Sequence, residues 1–290
     1  MPADNIKLRF LGSAQDAGVP QANCYCTNCQ RAHADRNYRH FAASLAIITD
    51  DSTWHMIDAT PDFREQLYSM QKAYPEAGIM DSIILTHAHA GHYPGLLFLG
   101  KEGMSTSELP VYASEKMAQL LANDAPWSQL VGLKNIVTKP IQAGIAQELT
   151  STVHFTPVEV PHRNEYSETF GFLIKGPNKK ALYIPDIDSW KEWEHDIGEI
   201  AKDIDYVIVD ATFYSKQEVA EVGRDISQIP HPSITETMDR LQEAVDTART
   251  KVYLTHLNHS NPILDPESEE LQTIRNRGYF LAEEGLELEL

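Results

Sequence analysis

Apolar residues along this 290-residue chain fall into two patterns: short, nearly continuous runs that stop at a turn, and longer stretches with apolar positions every third or fourth residue. The first pattern predicts strands over residues 7–11, 44–49, 54–57, 83–85, 110–113, 153–158, 169–174, 181–184, 205–210 and 252–255, several of them buried on both faces. The second predicts helices over residues 61–70, from Leu96 through Leu99, over 115–121, and along Trp190, Trp193, Ile197, Ile200 and Ile204. A capping box at Ser233 and Glu236 opens another helix, carried on by Ile234, Met238, Leu241 and Val245. Residues 153–158 and 169–174 read as a pair, 123–144 has no clear period, and 252–255 is the last strand expected. No linker, low-complexity tract or charge block interrupts the alternation, which predicts one α/β domain over residues 1–290.

Chemistry concentrates where the apolar runs stop. After Ile83, Ile84 and Leu85 the chain reads Thr-His-Ala-His-Ala-Gly-His, placing His87, His89 and His92 on a turn. His87 and His89 face the same way if the segment is extended, and Gly91 allows a bend before His92. Neutral imidazole is the commonest protein ligand for zinc and similar ions. Three later strand ends deliver further ligand types: Val160-Pro161-His162, Ile184-Pro185-Asp186 and Leu254-Thr255-His256. Taken singly, His162 and His256 read as loop histidines and Asp186 as a turn or cap residue. Together they describe a metal site at the strand ends, where layered α/β folds place their chemistry. His33, His40, His55, His154 and His195 have no such context, and His231, before Pro232, is expected at the surface. The two tryptophans of the helical stripe are expected in the core.

The three cysteines, Cys24, Cys26 and Cys29, lie within six residues, too close and too few for a disulfide framework but well spaced as thiolate ligands. A closed tetrahedral zinc site would need a fourth ligand from elsewhere. They follow a small-residue loop, Gly12 to Gly18, that lacks the Gly-Lys-Ser pattern of a phosphate loop. A formal charge of −18 argues against nucleic acid or an anionic membrane as the main partner. No apolar run approaches the roughly 20 residues of a membrane span, and the N-terminus lacks a signal-peptide core, so a cytoplasmic location is expected.

Several short motifs carry a wider resemblance: Gly12-Ser13-Ala14, Pro20-Gln21, Asn23-Cys24-Tyr25-Cys26-Thr27-Asn28-Cys29, Asp58-Ala59-Thr60-Pro61-Asp62, the His87 to His92 cluster, and Thr255-His256 followed by His259-Ser260-Asn261-Pro262-Ile263-Leu264. Through them the chain resembles the metallo-β-lactamase superfamily along essentially its whole length. Within it, the chain resembles the branch containing pyrroloquinoline quinone biosynthesis protein B and the phosphodiesterase of the carbon–phosphorus lyase pathway. The resemblance implies an αββα sandwich. It implies a first metal site of His87, His89 and His162, a second of His92 and His256, and Asp186 bridging the two. Asp58 would orient a ligand of the His cluster, Asp210 could act similarly, and Cys24, Cys26, Cys29 and His259 would hold a structural zinc.

The superfamily motif has aspartate where this chain has Gly91. With no other carboxylate in view, the second site is expected to be weak or empty, and Gly91→Asp to raise its occupancy. The implied activity is hydrolysis by water activated on zinc, manganese or iron, with His92, Asp186 and His256 nearest the chemistry. Two alternatives are an iron-dependent oxygenase acting on a tyrosine-derived precursor of a pyrroloquinoline quinone-type cofactor, and a metal-binding relative without activity. A small-molecule or short-peptide substrate is expected, and a homodimer is the one protein assembly entertained.

Overall fold

The computed structural model describes residues 6–49, 53–221, 230–247 and 250–290. Its first half supplies β1 (Lys7–Gly12), β2 (Ser44–Ile48), β3 (Trp54–Ile57), β4 (Ser82–Ile84), β5 (Leu109–Ser114) and β6 (Ile136–Ile141), hydrogen-bonded in that order. Its second half supplies β7 (Gln147–Glu148), β8 (His154–Glu159), β9 (Phe170–Lys175), β10 (Lys180–Ile184), β11 (Tyr206–Asp210), β12 (Lys251–Thr255) and β13 (Tyr279–Leu281), again neighbours in order. The last strand, β14 (Glu287–Glu289), returns to pair antiparallel with β1. In the first sheet β3 to β6 run parallel, and in the second β10 to β13 do.

Among the described residues the helices are α1 (Thr27–Ala34), α2 (Phe63–Ala73), α3 (Glu115–Asn123), α4 (Trp127–Gly132), α5 (Ile197–Ala201), α6 (Lys216–Glu221), α7 (Ile234–Thr247) and α8 (Glu269–Asn276). Three apolar clusters explain the layering. Leu8, Leu45 and Ile84 of one sheet meet Phe155, Phe172 and Tyr253 of the other in the central layer. On the outer face of the first sheet, Met56 and Val111 pack with Phe63 of α2 and Met117 of α3. On the outer face of the second, Val209 and Leu254 pack with Ile197, Met238 and Ile274. Strands covered on both faces show no alternation, which is why β2 and β11 are buried at every position. Helix, sheet, sheet and helix layers form the αββα sandwich expected.

Several local expectations need correction. The tryptophan stripe is helical only over α5: Asp196 caps that helix through Gly198 and Glu199 N–H groups, so Trp190 and Trp193 precede it. Both still enter the core, tied down by indole hydrogen bonds to Thr237 Oγ1 and the Glu159 carbonyl, each 2.9 Å. Leu96 to Leu99 belong to a 3-10 turn rather than an α-helix. Strands β13 and β14 lie beyond the last one expected, and the uncalled stretch 123–144 holds α4 and β6. The Ser233 cap is present, its hydroxyl accepting from Glu236 N at 3.2 Å, while the Glu236 carboxylate binds Arg240.

Candidate metal centre

Strands β3, β4, β8, β10, β11 and β12 all end at one edge of the sandwich, and each leaves an acidic or imidazole side chain there. Asp58 follows β3, His87, His89 and His92 follow β4, His162 follows β8, Asp186 follows β10, Asp210 closes β11 and His256 follows β12. Asp58 and His256 adopt left-handed backbone, φ 63° and 62°, a region that branched-free polar residues enter at a cost and that recurs at functional turns.

One group converges tightly. His89 Nδ1 lies 2.9 Å from both His87 Nε2 and His162 Nε2, while Asp186 Oδ2 is 3.1 Å from His162 Nε2 and 3.4 Å from His87 Nε2. Four ligands about 2.0–2.1 Å from a tetrahedral zinc stand about 3.3 Å apart, so this spacing suits one small cation. The opposite ring nitrogens decide which lone pairs point inward. His162 Nδ1 meets Asp188 Oδ1 at 2.6 Å, His89 Nε2 meets Glu165 Oε2 at 3.2 Å, and His87 Nδ1 meets Thr86 Oγ1 at 3.0 Å. An ionised carboxylate only accepts, so Asp188 and Glu165 hold the N–H outward and leave the facing nitrogen as a donor to metal.

The second group shares Asp186. His92 Nε2 and His256 Nε2 each lie 3.8 Å from Asp186 Oδ2, and Asp16 Oδ1 stands 3.4 and 3.7 Å from the same two nitrogens. His92 donates through Nδ1 to Asp58 Oδ2 at 2.8 Å, the orienting contact expected of Asp58, and Asp58 is itself fixed by Thr86. His256 Nδ1 is held by Thr212 Oγ1 at 3.0 Å, and Thr212 in turn donates to Asp210 Oδ1 at 2.7 Å. His92 Nε2, His256 Nε2, Asp16 Oδ1 and Asp186 Oδ1 are buried without a hydrogen-bond partner among the described residues. Buried polar atoms are normally satisfied, so the three that face one another, on His92, His256 and Asp16, fit a cation between them.

Burial and neighbouring charges pull the ionisable groups of the centre in opposite directions. Burial pushes His87 well below the ordinary histidine range, and neighbouring His92 adds to this. Burial also opposes charge on His92 and His162, but carboxylates override it. Asp58 and Asp16 hold His92 well above its usual value, and Asp186 and Asp188 raise His162 to about 10. Asp186 is buried too, yet His162 and His256 keep it ionised. A divalent cation would take over the positive charge that protons on His92 and His162 supply.

Two groups on this edge are not predicted by the sequence pattern. His231, expected at the surface, is buried with 5% side-chain exposure, its Nδ1 2.7 Å from Asp210 Oδ2 and 3.5 Å from Asp186 Oδ1. Asp16 brings a carboxylate oxygen beside His92 and His256, where the sequence offered none in view. Gly91 itself is not in left-handed backbone. Its role is space: a Cβ there would collide with the Asp16 carboxylate, so Gly91→Asp would displace Asp16 rather than add a ligand. His33, His40, His55, His154 and His195 stay outside the centre.

Cys24, Cys26, Cys29 and His259 form a separate cluster, with all four ligand atoms within 4.8 Å of one another. His259 Nδ1 lies 3.4 Å from Cys24 Sγ and 3.5 Å from Cys26 Sγ, near the donor spacing of a thiolate–imidazole zinc site. Asn28 reinforces the junction by donating to the His259 and Asn261 carbonyls at 3.1 and 3.0 Å.

A two-sheet sandwich with paired histidine–aspartate clusters at its strand ends defines the class, and a family model described as Beta-lactamase superfamily domain matches residues 53–257. The chain belongs to that superfamily. Among curated proteins it is similar to the Coenzyme PQQ synthesis protein B of Methylococcus capsulatus, at 28% identity over 98% of this chain and 99% of that protein. It is also similar to the Coenzyme PQQ synthesis protein B of Xanthomonas campestris pv. campestris, at 27% identity over 98% and 100%. Of solved structures, Zn(2+)-bound PqqB from Methylobacterium extorquens superposes with a TM-score of 0.83 at 22% identity, covering 98% of this chain and 100% of that one, which supports the fold. A diphosphatase from the PhnP family superposes with a TM-score of 0.69 at 25% identity, over 98% and 97%. No helix among the described residues is long and apolar enough to cross a membrane.

Proposed function

We propose that the chain is a metal-dependent hydrolase of a small-molecule or short-peptide substrate, acting in the synthesis of coenzyme PQQ or a chemically related compound. The carrying observation is the convergence of His87, His89, His162 and Asp186, with His92 and His256 beside them, each Nε2 3.8 Å from Asp186 Oδ2. The names of the relatives support the choice of pathway. A divalent metal bound there would lower the pKa of a water toward neutrality and polarise the bond under attack.

The chain's own residues do the remaining work. Asp188, Glu165, Asp58 and Thr212 hold each ligating ring in one tautomer and one orientation. Burial disfavours charge on His231, but Asp210 and Asp186 raise its pKa, which favours the protonated ring and makes it the candidate to give a proton to a departing oxygen. A groove of about 560 Å³ is lined by His162 together with Val158, Pro161 and Trp193. The zinc-loaded protein is expected to cleave at least one class in a panel of esters, lactones, thioesters and phosphodiesters. Full active-site zinc with no cleavage across that panel would remove the hydrolase reading.

One observation favours a second reading. His92, His256 and Asp16 are two imidazoles and a carboxylate, a donor set that suits non-haem iron(II). Oxygen uptake by anaerobically iron-loaded protein with tyrosine-derived substrates tests it, and no uptake with any of them counts against it.

A further inference from the structure

We infer that Asp16, on the loop after β1, is a ligand of a second active-site cation together with His92 and His256, and that Gly91 is required to leave room for it. This rests on the dinuclear site proposed above and names the residue that completes it.

Three observations carry the inference. Asp16 Oδ1 is shut off from solvent without a hydrogen-bond partner, although the side chain as a whole is 41% exposed, and it faces two imidazole nitrogens in the same condition. One oxygen of an otherwise accessible carboxylate is therefore turned inward. Its distances of 3.4 and 3.7 Å to those nitrogens are long for hydrogen bonds and right for ligands around one ion.

The loop itself is fixed to the site. Gln15 N donates to the Leu257 carbonyl and Leu257 N to the Ser13 carbonyl, both at 2.8 Å, and Asn258 Nδ2 donates to Gln15 Oε1 at 2.5 Å. These bonds flank Asp16 on one side and His256 on the other, so the carboxylate and the imidazole are positioned by the same stitch.

Gly91 supplies the third observation. A Cβ at position 91 would lie 2.5 Å from Asp16 Cα and 2.7 Å from Cγ, and closer still to Oδ1. A side chain starting at 91 would occupy the volume that the Asp16 carboxylate now fills. The two positions are alternative routes by which the chain can bring one carboxylate oxygen to His92 and His256, and they exclude each other. The fourth group of donors, Asp186, Asp210, His231 and His256, is not a separate cation site, because Asp210 Oδ2 and His231 Nδ1 already satisfy each other at 2.7 Å.

The test counts zinc in the full chain after loading with Zn²⁺ and desalting, and measures zinc affinity by competition with a chelating dye. Wild type is expected to hold one zinc at the cysteines and two at the strand ends. The near-isosteric Asp16→Asn should lose the last of these, its affinity weakened beyond the 10–100-fold or so typical of losing only an outer orienting contact. The double variant Asp16→Gly/Gly91→Asp should recover it once the loop after β1 shifts off the new Cβ, because the carboxylate then comes from the loop after β4. Unchanged stoichiometry and affinity in Asp16→Asn would overturn the inference, as would a wild type that fills only one strand-end site. A wild type with zinc at the cysteines alone would instead sink the metal-centre reading itself. Should the double variant fail to fold, Asp16→Asn decides on its own.

Discussion

Replacing Asp186 with alanine is expected to abolish the strand-end metal centre while leaving the fold and the cysteine cluster intact. Asp186 Oδ2 reaches His162, His87, His92 and His256, at 3.1, 3.4, 3.8 and 3.8 Å, so it is the one group common to both sets of donors. Its loss removes a ligand from each and takes away the shared negative charge that offsets two cations held close together. Metal catalysis contributes several kcal/mol at the transition state, and at 1.36 kcal/mol per factor of ten the loss of activity should be at least about 10³-fold. Asp186→Asn keeps the shape and removes the charge, so it should fail nearly as badly if the residue acts as a ligand. Near-normal zinc content and turnover in Asp186→Asn would show that the carboxylate serves packing instead.

The second large effect concerns stability. Cys29 is fully buried in α1, and burial pushes its thiol up to about 12, an environment in which a proton or a metal must neutralise the sulfur. Zinc at Cys24, Cys26, Cys29 and His259 would close a loop whose ends are 235 residues apart between Cys24 and His259. It would hold the N-terminal loop, Asp16 included, against the segment after β12. Structural zinc contributes directly to folding free energy. Cys29→Ala is therefore expected to cost several kcal/mol and, at about 2–4 °C per kcal/mol for domains of roughly this size, to lower Tm by on the order of 10 °C. A chelator should lower the Tm of wild type by more than that of the variant, which keeps only the strand-end metals to lose. A wild-type Tm indifferent to the chelator would mean the four side chains hold no ion that matters to the fold.

What the sequence made legible follows from how local each signal is. His87, His162, Asp186 and His256 each stand two residues after an apolar run, His89 and His92 follow on the same turn as His87, and strand ends in a layered fold meet at one edge, so their convergence could be read from position alone. Asp16 and His231 could not be read this way. Asp16 sits among small residues with nothing local to distinguish it from a solvated loop carboxylate, and it reaches the site only because its loop hydrogen-bonds to the segment after His256. His231 is drawn in by Asp210, a partner 21 residues earlier, and its neighbours Pro232 and Ser233 speak for a helix start and nothing more. Gly91 illustrates the same limit: position 91 signals a missing ligand, while only the fold shows that another carboxylate already occupies the space. Among the strands, β14 escaped because Glu287-Leu288-Glu289 offers a single apolar position, too few for either pattern to register.

The central claim is that two cations bind at the strand ends and share Asp186. Anomalous diffraction at the zinc edge from crystals of the loaded protein tests it directly. The account predicts three peaks: one among Cys24, Cys26, Cys29 and His259, one among His87, His89, His162 and Asp186, and one among Asp16, His92, His256 and Asp186. A map from fully loaded crystals with a peak at the cysteines and none at the strand ends would contradict it.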